Sequence, residues 1–454
     1  MNRRGPWASR NFRLLVGCDV MSMVGTTMAT VAVPFAILHS GGSASDIGFV
    51  TVAGLIPTIV FLLLGGVVAD RLPRQRVMVL ANVVQSAMQA AFALLVLTGR
   101  AQLWQMMLLT AGRGIAFGFY MPAAQGLLPQ TVAAADLSSA NAVRSLGLNG
   151  ARISGAALGG VVVAATGPGW GLVADAASYA AAAVLRSGMR FSDLPPVIRT
   201  GLLPELRAGW RAFVFQRWLW VCVVEFALIN AVYAGGFSVL GPVVAEHDLG
   251  GASSWGVIVA GQSLGAVLGA ALMLRYRPVR PLGVGNLAVA AMALPLIALA
   301  VPANLPLVAG AAMLAGMGAE AFEINWSVAL QEHVPGPLLS RVSAYDALGA
   351  YALGPVGTAV AGPLAAIVGT TLVLGGAGVA ILGAIAAALS VSDVRLLTRR
   401  EPVSDLPGEP GGLQAGSRRG HDGGRDLGPR EHLRTDRLKV DARGKQVGQQ
   451  SEMR

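Results

Sequence analysis

The stretch IGFVTVAGLIPTIVFLLLGGVVADRLPRQR, Ile47 to Arg76, decides the class of fold. Residues 47–69 carry no charge, and then Asp70, Arg71, Arg74 and Arg76 follow at once. About 20 mostly apolar residues are needed to cross a hydrocarbon core of ~30 Å. An apolar run of that length that ends in arginines is a helix leaving a bilayer on its cytoplasmic side.

Working outward, comparable apolar runs cover residues 13–37, 77–98, 103–125, 144–165 and 170–188, then 219–244, 253–274, 283–301, 305–328, 343–366 and 370–391. The fifth and sixth are the least distinct, being separated only by Gly167-Pro168-Gly169. The first run is long, contains Asp19 and has no cleavage pattern after it, so it is expected to be a retained helix and not a signal peptide. The expectation is an all-α integral membrane protein of twelve transmembrane helices in two six-helix pseudo-repeats around a central cavity. Its parts would be residues 1–188, a cytoplasmic loop at 189–217, residues 218–392, and a disordered cytoplasmic tail at 393–454. Within the loop, Leu202 to Trp220 alternates Arg with Leu, Trp and Phe, a pattern suited to an interfacial amphipathic helix.

Composition agrees and excludes other classes. Charged residues make up 13% of the chain, against roughly 25% in soluble domains. The 59 glycines suit helices that pack closely in lipid. Cys18 and Cys222 both lie in apolar runs and form no disulfide framework. The histidines are scattered through loops and tail, so no metal site is expected. Lys439 and Lys445, both in the tail, are the only lysines, which leaves no P-loop or Schiff-base lysine for ATP-driven or covalent chemistry. No His, Cys or Ser constellation has catalytic spacing, so neither an enzyme nor a cofactor is expected.

The formal charge of +10 is explained by topology. With the N-terminus inside, cytoplasmic segments hold eighteen arginines between Arg3 and Arg341, and external loops hold Arg100 alone. That asymmetry predicts an even number of spans with both termini cytoplasmic, and it removes the case for nucleic-acid binding. An internal repeat points the same way. Leu127 to Gly147 aligns without gaps on Ala329 to Gly349 at an offset of 202, and Ala111-Gly112-Arg113-Gly114 faces Ala315-Gly316-Met317-Gly318. Duplicated six-helix halves are a known transporter plan.

Gly65-Gly66-Val67-Val68-Ala69-Asp70-Arg71-Leu72-Pro73-Arg74-Gln75-Arg76 resembles the major facilitator signature Gly-x-x-x-Asp-Arg-x-Gly-Arg-[Lys/Arg]. Gly66, Asp70, Arg71 and Arg74 match, whereas Pro73 and Gln75 depart from it. Asn11 to Leu15, Asp175 to Tyr179 and Leu206 to Trp210 are similar to the branch containing the enterobactin exporter and macrolide efflux proteins. The resemblance runs from residue 10 to about 392. It implies alternating access, with Gly66, Asp70, Arg71 and Arg74 as a gate latch. Gly155, Gly159 and Gly160 are similar to the family's antiporter motif in helix five, with Ala156 where proline is expected. Arg113 is similarly placed to the family's helix-four arginine, which implies a role in proton coupling and a charge partner in Asp19.

Ionisable groups inside spans are costly and mark functional candidates. Asp19 heads a polar stripe with Ser22, Thr26 and Thr30, expected to face the cavity. Glu225 lies at comparable depth in the seventh run. Glu320 and Glu323 share a helix face with Ser327, and two carboxylates so close in a low dielectric cannot both ionise cheaply. Asp19, Arg113, Glu225, Glu320 and Glu323 are therefore the proton-coupling candidates, with structural pairing the competing role for Asp19 and Glu225. Arg152 is expected to snorkel. Phe117, Tyr120, Met121, Tyr233, Phe237 and Trp326 are available to an apolar pocket. The function expected is export of a lipophilic or amphipathic small molecule (drug, antibiotic or siderophore-like) from the cell membrane by proton antiport, the chain acting as a monomer. A nutrient importer or uniporter of the same fold is the alternative.

Overall fold

The computed structural model describes residues 6–133, 136–189, 210–211, 213–301, 304–334, 342–343, 345–346, 348–350 and 352–399, without the side chains of residues 63, 67, 69, 70 and 138. These residues belong to one unit, Met1–Arg400; the second unit, Glu401–Arg454, lies outside the described residues, as does most of the central loop. Among the described residues every regular element is helical.

The long helices are α1 (Arg10–His39), α2 (Ala44–Arg71), α3 (Arg74–Leu97), α4 (Leu103–Leu127), α5 (Leu137–Thr166) and α6 (Pro168–Ser187). They continue with α7 (Arg217–Asp248), α8 (Ala252–Arg275), α9 (Pro281–Ala300), α10 (Leu305–His333), α11 (Gly354–Val368) and α12 (Thr370–Ser390). Among the described residues ten stretches are long and apolar enough to cross a membrane, the one that includes α11 running from Leu348 to Val368. The two that fall short are α4 and α6, which carry Arg113 and the pair Asp175 and Arg186. Two expected spans are less regular than the hydropathy suggests. The seventh passes through a π-helical turn, Ala234–Leu240, and the ninth through a 3₁₀ turn, Ala290–Met292.

Local chemistry sets the ends. Ser9 accepts the Phe12 N–H at the start of α1, and Ser43 and Asp46 form a reciprocal capping box on α2. Gly167 takes φ 89° so that Pro168 can open α6, and Gly369 takes φ 92° between α11 and α12. These two left-handed glycines are separated by 369 − 167 = 202 residues, the offset of the sequence repeat.

Helices α1 to α6 pack among themselves, with α2 against α4, α3 against α6, and α1 against α5 and α6. Helices α7 to α12 do likewise, with α8 against α10 and α9 against α10 and α12. Two helix pairs chiefly join the groups, α5 with α8 and α2 with α11. Their closest approaches, Gly160 on Gly256 and Gly48 on Thr358, lie near the end of α5 and the start of α2. His39 meets Glu246 at 3.2 Å at that same end. The groups therefore close on one another at the end carrying the α1–α2 turn, and a cavity lies between them.

Candidate functional site

The cavity has a volume of about 550 Å³. Its polar wall comes from Thr26 and Thr30 of α1, Gln85 and Gln89 of α3, and Gln262 of α8. Its rings come from Phe92, Phe117, Tyr179, Tyr233, Phe237 and Trp255. Tyr233 stacks on Phe237 with centroids 5.0 Å apart, and its hydroxyl accepts from Gln262 Nε2 at 2.7 Å. The amides and hydroxyls lie among flat apolar faces, a surface that takes large ligands with few polar groups. Among the described residues lining it, Arg113 is the one charged side chain.

Contrary to the expectation from the sequence, Arg113 does not reach Asp19. Its Nη1 lies 3.5 Å from Oδ2 of Asp175, a fully buried carboxylate on α6. One turn on, Tyr179 shares a 2.8 Å hydroxyl contact with Thr26 of α1. Helix α6 can lie this close to α1 because position 25 is glycine: a Cβ there would fall 3.0 Å from the Asp175 Cα and within the Ser178 side chain.

Asp19 belongs to a different group, outside the cavity wall. Its Oδ2 accepts from Arg144 Nε at 2.6 Å, and its Oδ1 accepts from Arg186 Nη2 and from the Tyr120 hydroxyl at 3.2 Å. The same Arg186 Nη2 donates to Tyr120 at 2.9 Å, and its guanidinium lies 5.2 Å from the Tyr120 ring centre. Arg186 has no exposed surface and Asp19 has 4%. The polar stripe on α1 thus divides: Thr26 and Thr30 face the cavity, whereas Asp19 and Ser22 are buried within the first six helices.

Among the described residues, the proton-coupling candidates of the second group have no such partners. Glu225 is 4% exposed and neither carboxylate oxygen is hydrogen-bonded. Glu323 lies within electrostatic reach of Glu320 and Asp346, while Glu320 feels Arg152 from α5. Arg152 itself is exposed, with Nη1 3.2 Å from Asn149 Oδ1. Trp326, read as a pocket residue, is buried and donates to Asp346 at 2.9 Å. Tyr120 is committed to Asp19, and Met121 is exposed outside the cavity wall. Sequence reasoning missed Asp175 and Arg186 as buried ion-pair members, Arg144 as the half-buried partner of Asp19, and Gln85 and Gln89 as cavity residues. The α3 polar residues Asn82, Gln85 and Gln89, spaced three and four apart, carried that last signal.

A family model described as transmembrane secretion effector matches residues 3–399. The chain belongs to this family of major facilitator transporters. The multidrug efflux pump Tap of Mycolicibacterium fortuitum is 26% identical over 379 residues, covering 80% of this chain and 90% of that protein. Macrolide efflux protein A of Streptococcus pyogenes is 23% identical over 132 residues, 29% of this chain and 32% of that protein. Among solved structures, the nucleoside transporter NupG superposes with a TM-score of 0.67 at 14% identity, covering 84% of this chain and 98% of that chain. A bacterial homolog of the human lysosomal transporter Spinster, inward-facing and unoccupied, gives 0.65 at 18% identity over 87% and 98%.

The major facilitator motifs can now be placed. In the α2–α3 loop, Arg74 Nη1 donates to the Gly126 carbonyl at 2.6 Å, holding the loop to the end of α4. Arg71 is exposed, and the side chain of Asp70 lies outside the described residues. Gln75, where the signature has a base, donates to the carbonyls of Arg186 (2.6 Å) and Met189 (2.8 Å) and so caps the end of α6. Of the two glycines, Gly65 is the packed one, against Gly118 and Phe119 of α4, and Gly66 faces open space. On α5, Gly155 and Gly159 let α1 approach at Val24 and Met28, and Gly160 lets α8 approach.

Proposed function

We propose that this major facilitator chain exports lipophilic or amphipathic small molecules, of drug, antibiotic or siderophore type, by proton antiport with alternating access. The cavity carries the reading: about 550 Å³ of aromatic faces with scattered amides and hydroxyls suits a bulky, sparsely polar cargo. The likeness to multidrug and macrolide efflux proteins supports export. The cavity lies between two six-helix halves, 1–188 and 218–392, that rock about it. The matched left-handed glycines at 167 and 369 support that duplication. Helices α4 and α6, of 25 and 20 residues, are also spans, long enough at about 1.5 Å per residue; their charged residues Arg113, Asp175 and Arg186 face the cavity or protein. The twelve spans put both termini in the cytoplasm of a cell-membrane monomer, and the closed end is the external one.

Coupling runs through acids that, among the described residues, no arginine holds by a hydrogen bond. Glu225 fits best, because a buried carboxylate without a cation carries its proton at little cost; Glu320 and Glu323 then release it toward the cytoplasm. Asp19 is occupied by two arginines. The latch at Gly66, Asp70, Arg71 and Arg74 holds the two halves together in one conformation, and the open space beside Gly66 leaves room for a close approach there.

The test is accumulation of a macrolide in cells expressing the chain, with and without a protonophore. Lower accumulation that the protonophore abolishes is expected. Raised accumulation of a nucleoside instead would favour an importer. Glu225→Gln should fold normally, since no partner is lost, and export should no longer respond to the pH gradient.

A further inference from the structure

We propose that Asp175 is a second proton-loading group, coupled through Arg113 to the charge of the cavity, so that proton binding expels a cationic, aromatic-bodied cargo. This rests on the proton-driven export reading and adds a residue and a substrate class to it.

The inference follows from where the two charges sit. Arg113 is at the cavity wall with 28% of its side chain exposed, and Asp175 lies behind it with none. Neither Asp175 oxygen meets full hydrogen-bond geometry with a partner, Thr26 being the near hydroxyl, and the 3.5 Å approach of Arg113 is its one ion pair among the described residues. Every packed neighbour leaves that relation intact. Helix α1 brings Thr26 near, and its Asp19 is held by Arg144 of α5 and Arg186. Helix α3 presents Asn82, Gln85, Ser86 and Gln89, none of which ionises. Helix α4 brings Arg113 itself, with Tyr120 committed to Asp19. On α6, Tyr179 stands four residues on from Asp175, so the two share a helix face. Tyr179 also lines the cavity and touches Thr26, which gives a hydroxyl route for the proton.

With Asp175 ionised, the pair is neutral and the cavity accepts a cation. With Asp175 protonated, the Arg113 charge is uncompensated beside the cargo. In a low-dielectric cavity one unit charge at cargo distance weakens cation binding by about tenfold or more.

The probe is tetraphenylphosphonium, a cation with four phenyl rings, binding to the purified full-length protein by calorimetry, with neutral triphenylphosphine oxide as control. Between about pH 8 and about pH 6, wild-type affinity for the cation should fall about tenfold, and for the neutral control it should not change. Asp175→Asn should bind the cation weakly at both pH values. Arg113→Gln should bind it tightly at both, because no cavity charge remains to be unmasked. These opposite directions exclude simple misfolding, and the wild-type and Arg113→Gln measurements suffice should Asp175→Asn not fold. A flat wild-type profile, or wild-type pH dependence in Arg113→Gln, overturns the proposal. Binding that follows this pattern without proton-driven export of the cation from proteoliposomes would leave the assignment standing and sink the antiport reading instead.

Discussion

At the scale of single residues, the decisive difference among the intramembrane charges is whether a partner is present. Asp19 compensates a fully buried Arg186, so removing it should cost folding before it costs transport. Asp19→Asn is expected to lower stability by about 3 kcal/mol or more, the usual consequence of leaving one member of a buried pair uncompensated. Thermal unfolding in detergent would read this, and Asp19→Asn with Arg186→Gln should recover part of the loss. Normal stability in the single variant would return Asp19 to the list of transport residues. The sequence could not distinguish these roles, because Arg144 and Arg186 lie at the ends of apolar runs, where anchoring and burial leave the same trace. Asp175 was visible only as part of a family-like stretch. That it meets Arg113 is a matter of how α4 and α6 turn toward each other across more than sixty residues of chain, which no local pattern encodes.

At the scale of elements, the glycines separate into packed and open positions. A Cβ at Gly65 would strike the backbone of Gly118 and Phe119, which cannot move aside, whereas one at Gly66 touches nothing. Gly65→Ala should therefore reduce folded yield, with an overpacking cost of about 1–3 kcal/mol. Gly66→Ala should fold as the wild type does, and any loss of export in it must arise in another conformation; an equal loss of yield in both would remove the case for a latch. On α5, Gly160→Ala would set a Cβ 2.9 Å from the Ala252 carbonyl oxygen and the Gly256 Cα. It is expected to pry α5 from α8 and shift the population toward opening at that end, read as a longer distance between spin labels at Ser40 and Asp248. Hydropathy made the helices legible, together with the Gly167-Pro168 break. It did not reveal the π-helical turn at Ala234–Leu240, since adjacent glycines at 235 and 236 in an apolar run look the same in a straight helix.

At the scale of the molecule, the claim most exposed to test is that all twelve helices cross with the termini inside, and the protein is well suited to the experiment. Its two cysteines, Cys18 and Cys222, are both buried, so an introduced cysteine should report against little background. Ser40, Thr98 and Thr166 are exposed at turns expected outside, and Leu72 and Arg277 at turns expected inside. In intact cells a membrane-impermeant maleimide should label the first three substitutions, and the last two only after permeabilisation. Each position bears on a separate span. Thr166 follows α5, so it would face the cytoplasm if α4 failed to cross, and Arg277 would move outside if α6 alone failed. These are the two helices whose apolar character falls short. Their charged residues Arg113, Asp175 and Arg186 face the cavity, one another or the Asp19 group, and this arrangement makes a span look less like one in sequence. Labelling of Thr166 from outside, with Arg277 protected, would show that both cross and that their charges are carried through the membrane by their neighbours.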